Sequence, residues 1–280
     1  MSYRTILAVL STRTDVGPVV AAAQRLGCGR DIHLIGCHGE PSQFVVMGGP
    51  IDVPDATTIA VLYEEADARM RVLGDAFSEL CTREGLSYEW RPVHTQGGDS
   101  AQSSVSSARV ADIVLVRQPD RSKEEVTTPD FEALMFESGR PVLFLPADGA
   151  LADPVERVLI AWDGSREAAR AVHDAMPLLK AAKSVDIVIV DADRQANLTM
   201  PLPGSDIAAS LARHDIHAEI STVGREGRST SDAIAGQVVA TNADLLVMGA
   251  YTHQRISQWL FGGVTRAFLD KLSVATLMSR

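Results

Sequence analysis

The chain has 280 residues, 46% of them hydrophobic and 22% charged, with a formal net charge of −10. That length suits two domains or one large one, and the composition supplies a sizeable core and excludes global disorder. An acidic balance disfavours general nucleic-acid binding, although it leaves room for a local pocket that takes one nucleotide.

The first residues read Met1-Ser2-Tyr3-Arg4-Thr5, followed by the short apolar run Ile6 to Leu10. This run is shorter than a signal-peptide core, and no small-residue cleavage site follows it. No apolar run approaches the ~18 residues of a membrane span. Cys28, Cys37 and Cys81 are an odd number confined to the first third, which argues against a disulfide framework. The expectation is a cytoplasmic protein in a reducing compartment, with no membrane or nucleic-acid partner.

In chain order, the predicted strands are 4–10, 32–37, 87–94, 111–116 and 141–145. After Ala147 to Pro154 come 156–162, 185–190, 217–222, 244–248 and 274–278. A long helix is expected over 57–84 in the first series. Helices are expected over 166–180, 205–214, 229–242 and 265–271 in the second. Short, apolar, β-branched runs that alternate with helices imply parallel strands buried on both faces. The two series repeat each other. Arg4-Thr5-Ile6-Leu7-Ala8-Val9-Leu10 matches Arg157-Val158-Leu159-Ile160-Ala161-Trp162-Asp163 at an offset of 153. Ala111-Asp112-Ile113-Val114 matches Ala243-Asp244-Leu245-Leu246 at 132. The first unit therefore carries 21 extra residues, most naturally in the loop-forming stretch 39–60. Two domains are expected, 1–147 and 154–280. Residues 1–150 hold a net −8 and residues 151–280 a net −2, so the second unit is the better host for an anion.

Ligands of such sheets bind outside the carboxyl ends of the strands, where strand order reverses. In the second unit those ends carry Asp163-Gly164-Ser165 and Gly249-Ala250-Tyr251-Thr252. A loop then leads to Gly262-Gly263-Val264-Thr265 at the start of the last helix. Glycines at a helix start let backbone amides approach a phosphate, and Thr265 adds a hydroxyl. Asp163 suits ribose hydroxyls.

Strand-end Asp163, with Gly249-x2-Thr252-x9-Gly262-Gly263-Val264-Thr265, resembles the universal stress protein family. Its ATP-binding pattern is Gly-x2-Gly-x9-Gly-Ser/Thr. The resemblance implies two tandem α/β domains, each with a Rossmann-like five-stranded parallel sheet of the adenine nucleotide alpha-hydrolase type. They would pair as an intramolecular pseudo-dimer, with further homodimerisation open. It also implies that ATP or AMP, with or without Mg²⁺, is held by Asp163, Val190, Gly249, Thr252, Gly262, Gly263, Val264 and Thr265. Val190 and Asp191 match the strand end beside adenine, and Met248 with Gly249 the fourth-strand end. Thr252 stands where the pattern has glycine, and Gly263 where it has a hydroxyl residue. In the first unit the offsets put Leu10 at the place of Asp163 and Arg117 at that of Gly249. Asp120, Asp130 and Phe131 take those of Thr252, Gly262 and Gly263, so that half is expected to be a scaffold without the site.

Plainer roles stand beside these. Asp163 also suits a cap for the following helix, Asp191 a solvated turn, and Cys37 and Cys81 core packing. His214 and His217 lack a third zinc ligand. His253 suits an exposed loop, and 44–55 suits packing over the sheet end. Neither a Gly-x4-Gly-Lys-Ser/Thr loop nor a Gly-x-Ser-x-Gly elbow occurs. The expected function is a stress-associated regulatory or scaffold protein that binds adenine nucleotide and an unidentified protein partner. Catalysis is not expected beyond slow ATP hydrolysis. The alternatives are a nucleotide-free interaction module and, third, an ATP-using enzyme of the wider superfamily.

Overall fold

The computed structural model describes residues 3–27, 31–41, 56–95, 100–119, 131–194, 203–250, 263–270 and 272–280. Its first half runs β1 (Thr5–Val9), α1 (Arg13–Leu26), β2 (His33–Pro41), α2 (Ala56–Glu84), β3 (Ser87–Thr95), α3 (Ser100–Ser103), α4 (Val105–Ala108), β4 (Ile113–Arg117), α5 (Phe131–Glu137) and β5 (Val142–Leu145). The second half runs β6 (Arg157–Ala161), α6 (Arg166–Asp174), α7 (Met176–Ala181), β7 (Ser184–Val190), α8 (Ser205–Ala212), β8 (Ala218–Val223), α9 (Thr230–Ala240), β9 (Leu245–Gly249), α10 (Gly263–Asp270) and β10 (Ala275–Ser279).

All ten strands form one sheet in the order β3-β2-β1-β4-β5-β10-β9-β6-β7-β8. Neighbours are parallel except β5 and β10, which meet antiparallel at the centre. There Phe144 faces Thr276, its own counterpart at offset 132. An approximate two-fold axis therefore passes between these two residues. The apolar runs read from the sequence are central strands, and every residue of β5 and β10 is buried. One face carries α1, α2, α6, α7 and α8, packed through Val19, Phe77, Val172, Leu179 and Leu211. The other carries α3, α4, α5, α9 and α10, packed through Ala101, Leu134, Val238 and Phe268.

The repeated Ala-Asp pairs have a clear mechanical role. Asp112 Oδ2 accepts from the amides of Arg4 and Thr5 at 2.8 and 2.9 Å. Asp244 Oδ2 accepts from those of Glu156 and Arg157 at 3.0 and 2.9 Å. Each carboxylate starts its strand by fastening the neighbouring strand's first residues.

Three expectations change. The helix expected over 166–180 breaks into α6 and α7 at Ala175, because Pro177 has no N–H to continue the ladder. The 21 extra residues lie in a helix rather than a loop, since α2 has 29 residues and α8 has 8. The first strands align at 152, not 153. Ile6 pairs with Ile113 as Val158 pairs with Leu245. Leu10 therefore matches Trp162, and the counterpart of Asp163 is Ser11. The caps Thr12 and Ser165 keep the offset of 153. Gly164, at φ +70°, is the extra residue in the second turn.

Candidate functional site

Strands β7, β6 and β9 lie side by side, with Ala161 in register with both Val188 and Met248. Their carboxyl ends bring Val190, Asp163 and Gly249 to one edge of the sheet. Strand order reverses between β6 and β9, as the crevice rule requires. Val190 is buried and closes β7 in register with Val223. Gly263, Val264 and Thr265 form the first turn of α10, with Val264 half-buried and Thr265 buried. Thr252 and Gly262 lie outside the described residues, as do His253 and the segment 44–55.

Ser165, not Asp163, caps α6, and Asp163 supports that cap from the crevice. Its Oδ1 accepts from the Ser165 amide at 3.0 Å, and Ser165 Oγ accepts from the Ala168 amide at 3.1 Å, opening α6. Gly249 lies hard against that first turn. A Cβ there would stand 2.5 Å from the Ala168 amide nitrogen and 2.7 Å from the Glu167 carbonyl carbon. Only glycine lets the end of β9 and the start of α6 approach this closely.

Asp191 was read as a solvated turn residue, but its carboxylate is engaged. It sits at φ +48° and accepts from the Arg225 amide at 3.0 Å and from Arg225 Nε at 2.5 Å. This tie joins the ends of β7 and β8. Sequence reading missed Arg225, which shares no motif with Asp191 and meets it only through the sheet. Trp162 Nε1 and Ser279 Oγ are also at strand ends, buried and without a hydrogen-bond partner among the described residues. No cluster of His, Cys, Asp and Glu suited to a metal ion occurs among those residues.

The first half fills the corresponding space with its own side chains. Arg117, at the place of Gly249, reaches the carbonyls of Thr14 (3.2 Å) and Ala147 and stands 3.4 Å from Asp15 Oδ1. Asp15 Oδ2 accepts from the amides of Ser11 (3.1 Å) and Thr12 (2.8 Å) at the start of α1. The second half has Ala168 at this third helical position. At the end of β2, His38 Nδ1 lies 2.7 Å from the Leu10 carbonyl, and its Nε2 lies 2.9 Å from Glu40 Oε2. Arg69 Nε donates to Glu40 Oε1 at 2.6 Å, and Ser100 Oγ accepts from the Gly39 amide at 3.1 Å. Sequence reading found Arg117 but missed Asp15, His38, Glu40 and Arg69. In sequence the offset of 153 sets His38 against Asp191, whereas the strand registers set it against Ile189.

The model of the universal stress protein family matches residues 154–280. The second half is similar to a universal stress protein domain. Solved structures extend the likeness of fold to the whole chain. A universal stress protein from Archaeoglobus fulgidus is 16% identical, with a TM-score of 0.67, over 100% of this chain and 97% of that one. A functionally unknown protein from Pseudomonas aeruginosa is 15% identical, with a TM-score of 0.57, over 99% and 92%. The cytoplasmic domain of a prokaryotic cation chloride cotransporter is 10% identical, with a TM-score of 0.50, over 100% and 96%. Comparison with curated proteins found no match. No helix among the described residues is long and apolar enough to cross a membrane.

Proposed function

We propose that this chain is a cytoplasmic stress-associated regulator that holds one adenine nucleotide, ATP or AMP, in its universal stress protein domain. The first half acts as scaffold. One observation carries this reading. Among the described residues, the crevice at Asp163, Val190 and Gly249 has no counterpart of the Arg117–Asp15 pair that occupies the same place in the first half. Ribose would meet the second oxygen of Asp163. Phosphate would meet the amides at the start of α10, beside Thr265, with or without Mg²⁺. Among the described residues no nucleophile stands beside a poised base at these strand ends, and binding rather than turnover is the proposed role.

A second reading, a nucleotide-free interaction module, is favoured by Val61 and Val72. They are 48% and 55% exposed and, eleven residues apart, share one face of α2. The same experiment decides between the two. The purified protein is denatured and assayed for released adenine nucleotide, then titrated with ATP and AMP by calorimetry. We expect a measurable Kd, weakened about tenfold by Asp163→Asn, the scale of one hydrogen bond to a charged group. Ser11→Ala, at the equivalent place in the first half, leaves it unchanged. No retained nucleotide and no heat of binding would leave the interaction module.

A further inference from the structure

Three arginines gather at one corner of this acidic molecule without an acidic partner. Arg109 Nε donates to the Glu137 carbonyl at 3.2 Å, and Arg140 Nη2 to the Arg109 carbonyl at 2.9 Å. Arg280 stacks its guanidinium 3.7 Å over the ring of Phe136. Among the described residues none of the three forms an ion pair, and the Glu137 carboxylate joins none of them. Phe136 is 43% exposed, so the cations of this corner stand beside an aromatic ring.

Its position gives the cluster a meaning. Because β5 and β10 are antiparallel, the start of β5 lies beside the end of β10, with Met278 opposite Val142. Two residues further along, Arg280 and Arg140 come alongside each other. Ser279 is in register with Gly249, and the Ala250 amide donates to the Ser279 carbonyl at 2.9 Å. Arg280 is therefore next to the chain leaving β9, one strand from the candidate crevice.

The two-fold relation says the same from the opposite side. Gln118 follows β4. It donates to the Leu269 carbonyl at 2.8 Å and accepts from the Leu272 amide at 3.2 Å at the end of α10. The counterparts at offset 132 are Ala250 for Gln118, Glu137 for Leu269 and Arg140 for Leu272. The two-fold relation thus sets Ala250, which follows β9, towards the end of α5, on the face that also bears the first turn of α10. Ser279, with its buried and unpaired Oγ, stands between the two.

Building on the nucleotide reading above, we propose that the site is composite. The second half holds the nucleoside, and Arg280 with Arg140 of the first half's edge meets the outer phosphates, so that the site discriminates triphosphate from monophosphate. Guanidinium groups suit this because they present several donors in a plane to phosphate oxygens and are held here by carbonyls and a ring rather than by carboxylates. The first half is then part of the binding machinery.

The test is calorimetric titration of the full chain with ATP and with AMP. It uses the wild type, Arg280→Gln, Arg140→Gln, the double variant and Arg213→Gln, a distant exposed control. We expect the double variant to lose about tenfold or more in ATP affinity. AMP affinity and the thermal midpoint stay where they were, and Arg213→Gln changes nothing. Unchanged ATP binding in the double variant overturns the proposal, as does an equal loss for ATP and AMP, which would place the arginines in the fold or at the nucleoside. A wild type that binds neither nucleotide instead overturns the nucleotide reading and this proposal with it.

Discussion

Gly249 concentrates the difference between the halves in a single absent methyl group. In the first half the side chain of Arg117 begins at this position, so α1 cannot come as close to β4 as α6 comes to β9. Gly164 adds one residue to the turn before α6 and takes the positive φ that turn requires. Gly249→Ala should therefore push the first turn of α6 away from β9, and backbone is what it meets. We expect a loss of about 1–3 kcal/mol in urea unfolding, the usual cost of overpacking, together with weaker nucleotide binding. An unchanged midpoint would show that α6 has slack the structure denies. The sequence made Gly249 legible because a glycine ended an apolar run. It did not make the one-residue slip at Asp163 legible. Two wholly apolar strands align as well at 153 as at 152, and only the fastening by Asp112 and Asp244 separates the registers. Leu10, once matched to Asp163, is a core residue.

At the scale of elements, periodicity carried the strands and the order of the helices, because parallel strands buried on both faces have no other reading. It carried the length of α2 as well, expected over 57–84 and found over Ala56–Glu84, but not the place of the 21 extra residues. The extra turns are amphipathic only over part of their circumference, and the glycines and prolines of 39–55 drew the insertion towards a loop. Nor did it carry pairing between strands, where β7 and β8 hold a conflict. Asp186 and Glu219 stand opposite each other in register. Burial, and then the Glu219 charge, push the Asp186 carboxyl above its ordinary range. A carboxyl raised by folding favours the folded state fully only below its unfolded pKa, and that stability is gone once pH has risen past the folded value. At neutral pH the pair therefore stands as a cost. Asp186→Asn should stabilise the protein at pH 7 by a few tenths to about 1 kcal/mol, the range for like charges across a strand pair. The gain should shrink as pH falls towards 4. A stabilisation that stayed constant with pH would mean that packing, not charge, separates Asp186 from asparagine.

The whole molecule is held by a joint that repeats in sequence but is continuous in space. β5 and β10 complete one sheet, Gln118 is hydrogen-bonded to the end of α10, and Tyr3 Oη donates to the Asp174 carbonyl at 2.7 Å. The sequence disclosed two copies of a fold through its offsets. The joint was legible only through family resemblance, because β5 and β10 carry no mark of their neighbour beyond being predominantly apolar. That property makes a strong prediction. Residues 154–280 alone would expose β10 as a largely apolar edge strand that carries Ala275, Leu277 and Met278. Such an edge seeks another strand. The axis already passes beside Thr276, so a second copy can meet β10 antiparallel with Thr276 facing Thr276, the geometry that Phe144 now satisfies. The isolated second half should therefore sediment as a dimer, and replacing Leu277 with lysine should drive it to monomer while leaving its helical content in place. A monomer before that substitution would mean that the first half supplies more than an edge strand's partner, and that the sheet is continuous because the whole chain folds as one unit.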